Sequence, residues 1–391
     1  MRHLFYLSWV SENGTGTGHP CPGASPILGQ QFAVSRSRPR INSRRELRRV
    51  VEKRPRILIT RLSAIGDCIL TMPMLCALRR QFPESLLAWA AQPGPAKLLQ
   101  GHECLDELIV VNRGWLKSPR MIWQLRRRLR ALQFDIAIDP QGLTKSAVLA
   151  WLSGAPRRIG FAAPRGRELS VWLNNVLQRP TRSHLVDCQL DLLQTLGLAP
   201  GDVRFAVPSE PAACAAIASF LASVRLDGSF AVISPGASWD SKLWPADRFV
   251  QVAVQLGQRC GLPVVAVWAG DRERGWAAQI VAGAQGQAIL APPTTLPELA
   301  ALLRKARLFV GSDSGPMHLA AAVGTPCVGL FGPTRPEDCG PYGPEHRIVQ
   351  AYYQAGTSRQ RRQGPNDALQ AISVAMVSAA CEQVLRRISD G

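Results

Sequence analysis

The feature that most constrains this chain is a repeated alternation of two patterns. Short apolar runs rich in β-branched residues end in Ser/Gly/Asp loops, and each is followed by a stretch with helical spacing. Arg56-Ile57-Leu58-Ile59-Thr60 leads through such a loop to Ile69, Leu70, Met74, Leu75 and Leu78 on one helical face. Strand-like runs recur at 86–90, 108–111 and 136–138, with a helix over 121–132. An amphipathic helix over 181–198 then gives way to Ala199-Pro200-Gly201-Asp202, Pro208 and Pro211, which mark a junction. Beyond it the alternation restarts, with strands at 230–234, 263–268, 288–290, 308–310 and 327–330 and helices over 249–259, 274–284, 297–305 and 316–323. Strands that alternate with helices imply parallel sheets covered on both faces. Two such units in succession predict twin α/β Rossmann-like domains facing a cleft, with ligands beyond the carboxyl ends of the strands.

The composition agrees with two folded units. Of 391 residues, 46% are hydrophobic and 19% charged, which excludes wholesale disorder and fibrous classes. The formal charge is +18, unevenly spread: the first 56 residues hold eleven basic residues against Glu12, Glu46 and Glu52. Arg113, Lys117, Arg120, Arg126, Arg127, Arg128 and Arg130 form a second cluster without an acid. Such a run reads as a solvated helix face, with a basic groove for an anionic ligand left open. The ten cysteines lack a CxxC pair or a His partner at ligand spacing, so neither a disulfide framework nor a zinc site is indicated, and a reducing compartment fits. No run approaches the ~18–20 apolar residues that span a bilayer, and the stretch from Leu4 to Val10 is too short for a signal peptide. Residues 1–55 read as a disordered basic extension or an over-long gene start.

The most informative segment is Leu308-Phe309-Val310-Gly311-Ser312-Asp313-Ser314-Gly315-Pro316-Met317-His318. A strand enters a tight turn and a helix whose free N–H groups and positive end would hold a phosphate, with Gly315 allowing close approach and His318 one turn in. The same residues would equally suit an ordinary helix capped by Asp313 or Ser314. Lys242, in Lys242-Leu243-Trp244-Pro245, would project a compact positive charge from a strand-end loop, or be merely solvated. Glu273 closes another strand where a carboxylate commonly meets a ribose hydroxyl, with surface solvation the equal alternative. In the first unit, Arg61-Leu62-Ser63-Ala64-Ile65-Gly66-Asp67 lacks the GxGxxG of a dinucleotide site. Asp67 reads either as a helix cap or as a general base facing the cleft. No DxD-type pair is present to hold a divalent metal, so phosphate charge would fall to Lys242, His318 and the helix end.

In order along the chain, Arg56 to Asp67, Asp139-Pro140-Gln141-Gly142-Leu143-Thr144-Lys145-Ser146-Ala147, Lys242-Leu243-Trp244-Pro245, and Gly311 to Gly343 with Phe331-Gly332-Pro333-Thr334 resemble the lipopolysaccharide heptosyltransferases. These are glycosyltransferases of GT-B architecture. The resemblance implies inverting transfer of heptose from ADP-heptose to a Kdo or heptose hydroxyl of the inner core, most like the enzyme that adds the first heptose to Kdo on lipid A. It implies Asp67 as catalytic base, Lys242, Ser314, Gly315 and His318 on the donor diphosphate, Glu273 and Asp313 on the nucleoside, and Arg61, Arg113, Lys145 and Arg167 on the acceptor. Neither metal nor other cofactor is expected. Cys188 departs from the Arg common at its place in the family.

The domains expected are an extension over 1–55, an acceptor domain over 56–205, a nucleotide-sugar domain over 206–372, and a C-terminal helix over 373–391 packing back towards the first domain. The expected setting is cytoplasmic, peripheral to an anionic inner-membrane surface, as a monomer. Two other readings compete: a GT-B nucleotide-sugar 2-epimerase, and a basic nucleic-acid-binding protein. The latter lacks any known binding motif and has few aromatics among its basic runs.

Overall fold

The computed structural model describes residues 54–199, 201–226 and 228–390, and the expected basic extension lies almost wholly outside them. Twelve strands form two six-stranded sheets. The first holds β1 (Ile57–Thr60), β2 (Leu87–Ala91), β3 (Glu107–Val110), β4 (Ile136–Asp139), β5 (Arg157–Phe161) and β6 (Val176–Gln178), in the order β3-β2-β1-β4-β5-β6. The second holds β7 (Ala231–Ser234), β8 (Val264–Ala266), β9 (Ala288–Leu290), β10 (Leu308–Ser312), β11 (Cys327–Phe331) and β12 (Arg347–Gln350), in the order β12-β11-β10-β7-β8-β9. All neighbouring strands are parallel.

Each half therefore repeats one winding, with its first strand in the middle of the sheet. The order reverses between β1 and β4 and between β7 and β10, and loops that leave those strands diverge to opposite faces and open a crevice at the carboxyl edge. Central strands are wholly buried: all four residues of β1 and all five of β10 and β11 are hidden. This is why they read as continuous apolar runs. The pattern missed β5, which opens on Arg157 and Arg158 before its buried residues, and the half-exposed β6 and β12, which carry Gln178 and Arg347.

Three expectations are corrected. The helix expected from Ile69 to Leu78 is two helices, Ile65–Ile69 and Met72–Gln81, because Pro73 has no N–H for the Ile69 carbonyl and the helix must restart. The helix expected over 181–198 is an α-helix, Leu185–Asp191, continued by a tighter 3₁₀ stretch, Leu192–Leu196. The C-terminal helix, Val374–Asp390, packs on the second sheet beside the helix Ala246–Cys260, not back on the first domain. Its stripe of Val377, Ala380, Cys381 and Val384 is buried with Leu308, Val310, Val328 and Leu330, so the apolar face is already spent there.

Between the sheets lies one shared core. A single buried cluster runs from Ile57, Ile59, Trp89 and Phe161 of the first sheet to Phe309 and Phe331 of the second. The helix Leu296–Lys305 bridges them by packing on both Pro93–Leu99 and Pro211–Ser223. No helix among the described residues is long and apolar enough to cross a membrane.

Candidate functional site

The loop after β1 is held from beneath by the segment after β4. Asp139 is fully buried and accepts the amides of Gln141 (3.2 Å) and Gly142 (3.0 Å) and the Asn174 side chain (3.0 Å). Burial pushes its carboxyl up despite these bonds. The turn so fixed presents three partners to the upper loop: Gln141 Oε1 accepts the Leu62 amide (2.9 Å), the Pro140 carbonyl accepts Arg61 Nη1 (2.8 Å), and Lys145 Nζ donates to Ser63 Oγ (3.2 Å). Arg61 Nη2 in turn lies 2.8 Å from Asp67 Oδ2, which also accepts the Ala64 amide at 3.2 Å. Asp67 stays 43% exposed while the Arg61 side chain is 6% exposed. The guanidinium thus fixes one carboxylate oxygen and leaves the other towards solvent. Arg61, expected on the acceptor, is a buried brace for Asp67, with Nη1 on the Pro140 carbonyl and Nη2 on the Asp67 carboxylate.

The turn after β10 is organised around Asp313, which is buried. Its Oδ2 accepts Lys242 Nζ (2.6 Å) and Thr334 Oγ1 (2.8 Å), and its Oδ1 lies 3.1 Å from His318 Nε2. Burial by itself would raise this carboxyl, but the His318 hydrogen bond and the Lys242 ammonium outweigh it and hold the group well below the usual carboxylate range. Asp313, expected on the nucleoside, is a buried anchor whose two oxygens hold Lys242, Thr334 and His318. Lys242 Nζ also sits 4.4 Å from the centre of the Trp239 ring. Two residues on, Trp244 is buried edge-on against Phe249 (4.7 Å) and donates Nε1 to the Ile372 carbonyl (3.0 Å), which pins the Lys242 turn to the domain.

Several polar atoms in this pocket have no protein partner. Ser312 Oγ, Ser314 Oγ, Ser241 Oγ and His318 Nδ1 are buried and unbonded. Ser314 holds the N-cap position of the helix Gly315–Ala322, yet its hydroxyl makes no cap bond. With the first-turn amides lacking intrahelical partners, the turn has the donors of an anion cradle and not the bonds of a self-satisfied cap.

The two loops meet. A Cβ on Gly66 would lie 2.6 Å from His318 Cδ2, and one on Gly315 would lie 3.6 Å from Ile65 Cγ2. The helix Ile65–Ile69, which carries Asp67, packs directly on the helix Gly315–Ala322. Asp67, Lys145, Lys242, Ser314, Gly315 and His318 are thereby gathered along one seam. Glu273 stands apart, at the start of the helix Gly270–Gly283, accepting the Ala269 amide (2.8 Å) and pressed against Gly236 of the loop after β7. Burial raises its carboxyl. Arg113 and Arg167 are exposed on loops beyond the carboxyl ends of β3 and β5, and only the Arg167 main chain touches the β4 turn, through the Gly142 carbonyl (3.0 Å).

Residues 122–368 match glycosyltransferase family 9 (heptosyltransferase). The chain belongs to that family. Like other members it is a glycosyltransferase, and its paired sheets form the GT-B fold. Lipopolysaccharide heptosyltransferase 1 of Pseudomonas aeruginosa is 29% identical over 300 residues, covering 74% of this chain and 81% of that protein. The enzyme of the same name from Salmonella typhimurium is 28% identical over 298 residues, 74% of this chain and 92% of that protein. Among solved structures, a family 9 glycosyltransferase from Veillonella parvula superposes with a TM-score of 0.76 at 26% identity, covering 86% of this chain and 98% of that one. The Escherichia coli heptosyltransferase WaaC with ADP shares the fold with a TM-score of 0.68 at 24% identity, over 84% of this chain and 99% of that one.

For this glycosyltransferase, sequence reasoning missed Gln141 and Thr334 as supports of the two loops, and Trp239 under Lys242. Gln141 and Thr334 stood inside motifs already singled out; the missing information was which loop each motif would touch.

Proposed function

We propose that the enzyme transfers heptose from ADP-heptose, with inversion, to a hydroxyl of Kdo or heptose in the lipopolysaccharide inner core, with a Kdo-lipid A type acceptor. The observation that supports this reading is the contact of Gly66 with His318, which brings the helix of Asp67 against the turn at Ser314 and Gly315. Asp67 takes the proton of the acceptor hydroxyl as its oxygen attacks the anomeric carbon. The bond from that carbon to the diphosphate oxygen breaks on the opposite face, and ADP departs. Lys242, Ser314, the Gly315 amide and His318 receive the charge that grows on the leaving diphosphate, a task for preorganised donors that requires no metal ion. Glu273 accepts from the nucleoside ribose. Lys145, Arg113 and Arg167 provide positive charge for the acidic acceptor, and Arg61 acts through Asp67. The proposed setting is a monomer at the cytoplasmic face of the inner membrane.

The test is incubation with ADP-heptose and a Kdo-bearing lipid acceptor in the presence of a chelator, with products identified by mass. An acceptor heavier by one heptose together with free ADP is expected. Asp67→Asn should lower kcat by about 10²–10⁴ while leaving donor KM little changed. Near-normal transfer by that variant removes the proposed base, and an altered nucleotide sugar without acceptor product points to epimerisation instead.

A further inference from the structure

Side chains alternate across β1, so Ile57 and Ile59 join the shared core while Leu58 faces a separate cluster on the other side of the first sheet. That other side is covered by three neighbouring helices, Pro119–Ala131, Thr144–Leu152 and Ser170–Leu173. Each presents one tryptophan outward: Trp123 is 60% exposed, Trp151 51% and Trp172 73%. Leu169 and Leu177 are exposed at the same end of the layer. In the helix Pro119–Ala131, Met121, Ile122, Leu125 and Leu129 pack inward. Spacing then places Arg120, Trp123, Arg127 and Arg130 on the outer stripe. The Arg127 guanidinium lies 5.6 Å from the Trp123 ring centre, and Arg130 reaches the turn at Gly154 that ends the next helix. The nearby acids are engaged elsewhere: Glu107 pairs with Arg128 (2.7 Å), and Glu168 accepts the Thr144 hydroxyl (2.6 Å) and amide (3.0 Å). Among the described residues no carboxylate pairs with Arg120, Arg127 or Arg130.

We propose that this face is the docking surface for an anionic lipid bilayer. Tryptophan is amphipathic and settles at headgroup depth, where its ring meets acyl chains and its N–H meets water. Arginines between such rings would face lipid phosphates, and a surface of this kind lies on a membrane without crossing it. A second copy of the chain is a poor occupant, since two cationic faces repel. Nucleic acid supplies phosphates but no apolar layer for Leu169 and Leu177. The inference deepens the proposed function and takes its purpose from it, because a lipid-borne acceptor lies in the plane of the membrane.

The experiment is flotation of the full chain with vesicles that contain no acceptor. It should rise with phosphatidylcholine/phosphatidylglycerol vesicles but not with phosphatidylcholine alone, and less at about 0.5 M salt. Bromine-labelled acyl chains in the same vesicles should quench the tryptophan fluorescence of the unaltered protein. W123A/W151A/W172A should bind ~10-fold or more weakly, while ADP formation with a deacylated, water-soluble acceptor stays at the parent level. Flotation of that variant like the parent, absence of quenching, or retention on single-stranded oligonucleotide in place of vesicles would each overturn the proposal. Flotation without any heptose transfer would leave this surface standing and remove only the enzymatic reading.

Discussion

Asp313 shows how one buried residue sets the chemistry of its neighbours. It fixes Lys242 and His318 by paired contacts of 2.6 and 3.1 Å in a buried site, so both side chains point where Asp313 puts them. Asp313→Asn keeps the shape but leaves Lys242 buried without its counter-charge, and should destabilise the fold by about 3–5 kcal/mol in chemical denaturation. Gly315 gives a contrasting test. A methyl group there would meet Ile65 at an ordinary 3.6 Å, so the protein itself tolerates it. Gly315→Ala should leave the melting temperature unchanged while raising donor KM about tenfold, because the proposed diphosphate approaches the same backbone. Unchanged donor KM would mean that the phosphate does not sit on this turn. At this scale the sequence was a good guide to which residues matter and a poorer guide to their tasks. Arg61 and Asp313 are charged, but their places in the sequence do not reveal the side chains that burial brings against them, Asp67 for the one and Lys242 and His318 for the other.

At the scale of elements, the functional unit is a pair of short helices in contact. Gly66 has no side chain because the His318 ring occupies that space, and the ring cannot swing aside without leaving Asp313. Gly66→Ala should therefore push apart the helices Ile65–Ile69 and Gly315–Ala322 and lower kcat/KM by about 10²-fold, the usual result of displacing a catalytic group by an ångström. Circular dichroism should remain native; a variant with parent kcat/KM would show the contact to be incidental. The strand-loop-helix order that produces both helices was legible, since buried parallel strands are unbroken apolar runs and Pro316 marks a helix start. What stayed hidden was the contact itself, which joins residues about 250 positions apart through a glycine and a histidine with no local signal. The edge strands β6 and β12 escaped for a different reason: half-exposed and partly polar, they lack the period of a buried strand.

For the whole molecule, buried titratable groups predict an acid-sensitive fold. His102 and His184 have lowered pKa values, chiefly through burial. As pH falls below about 6.5 the unfolded chain therefore binds protons that the folded chain refuses, and stability declines. Asp313, also depressed in the folded state, adds loss of the same sign below the ordinary carboxylate value of about 3.9. Asp139 and Glu273 are raised, so acidification relieves a cost at those two and tempers the decline. Melting temperature measured from pH 7 to pH 5 should drop; a flat or rising profile would reject this balance. The shared inner core has a consequence of another kind. Residues 201–210 have no regular structure and look like a convenient place to cut the chain. Yet the cluster from Ile57 to Phe331 passes beneath that joint, so either half expressed alone would bare an oily inner wall. The molecule is two lobes by topology and a single piece by solvation: split genes would have to be co-expressed to give soluble protein.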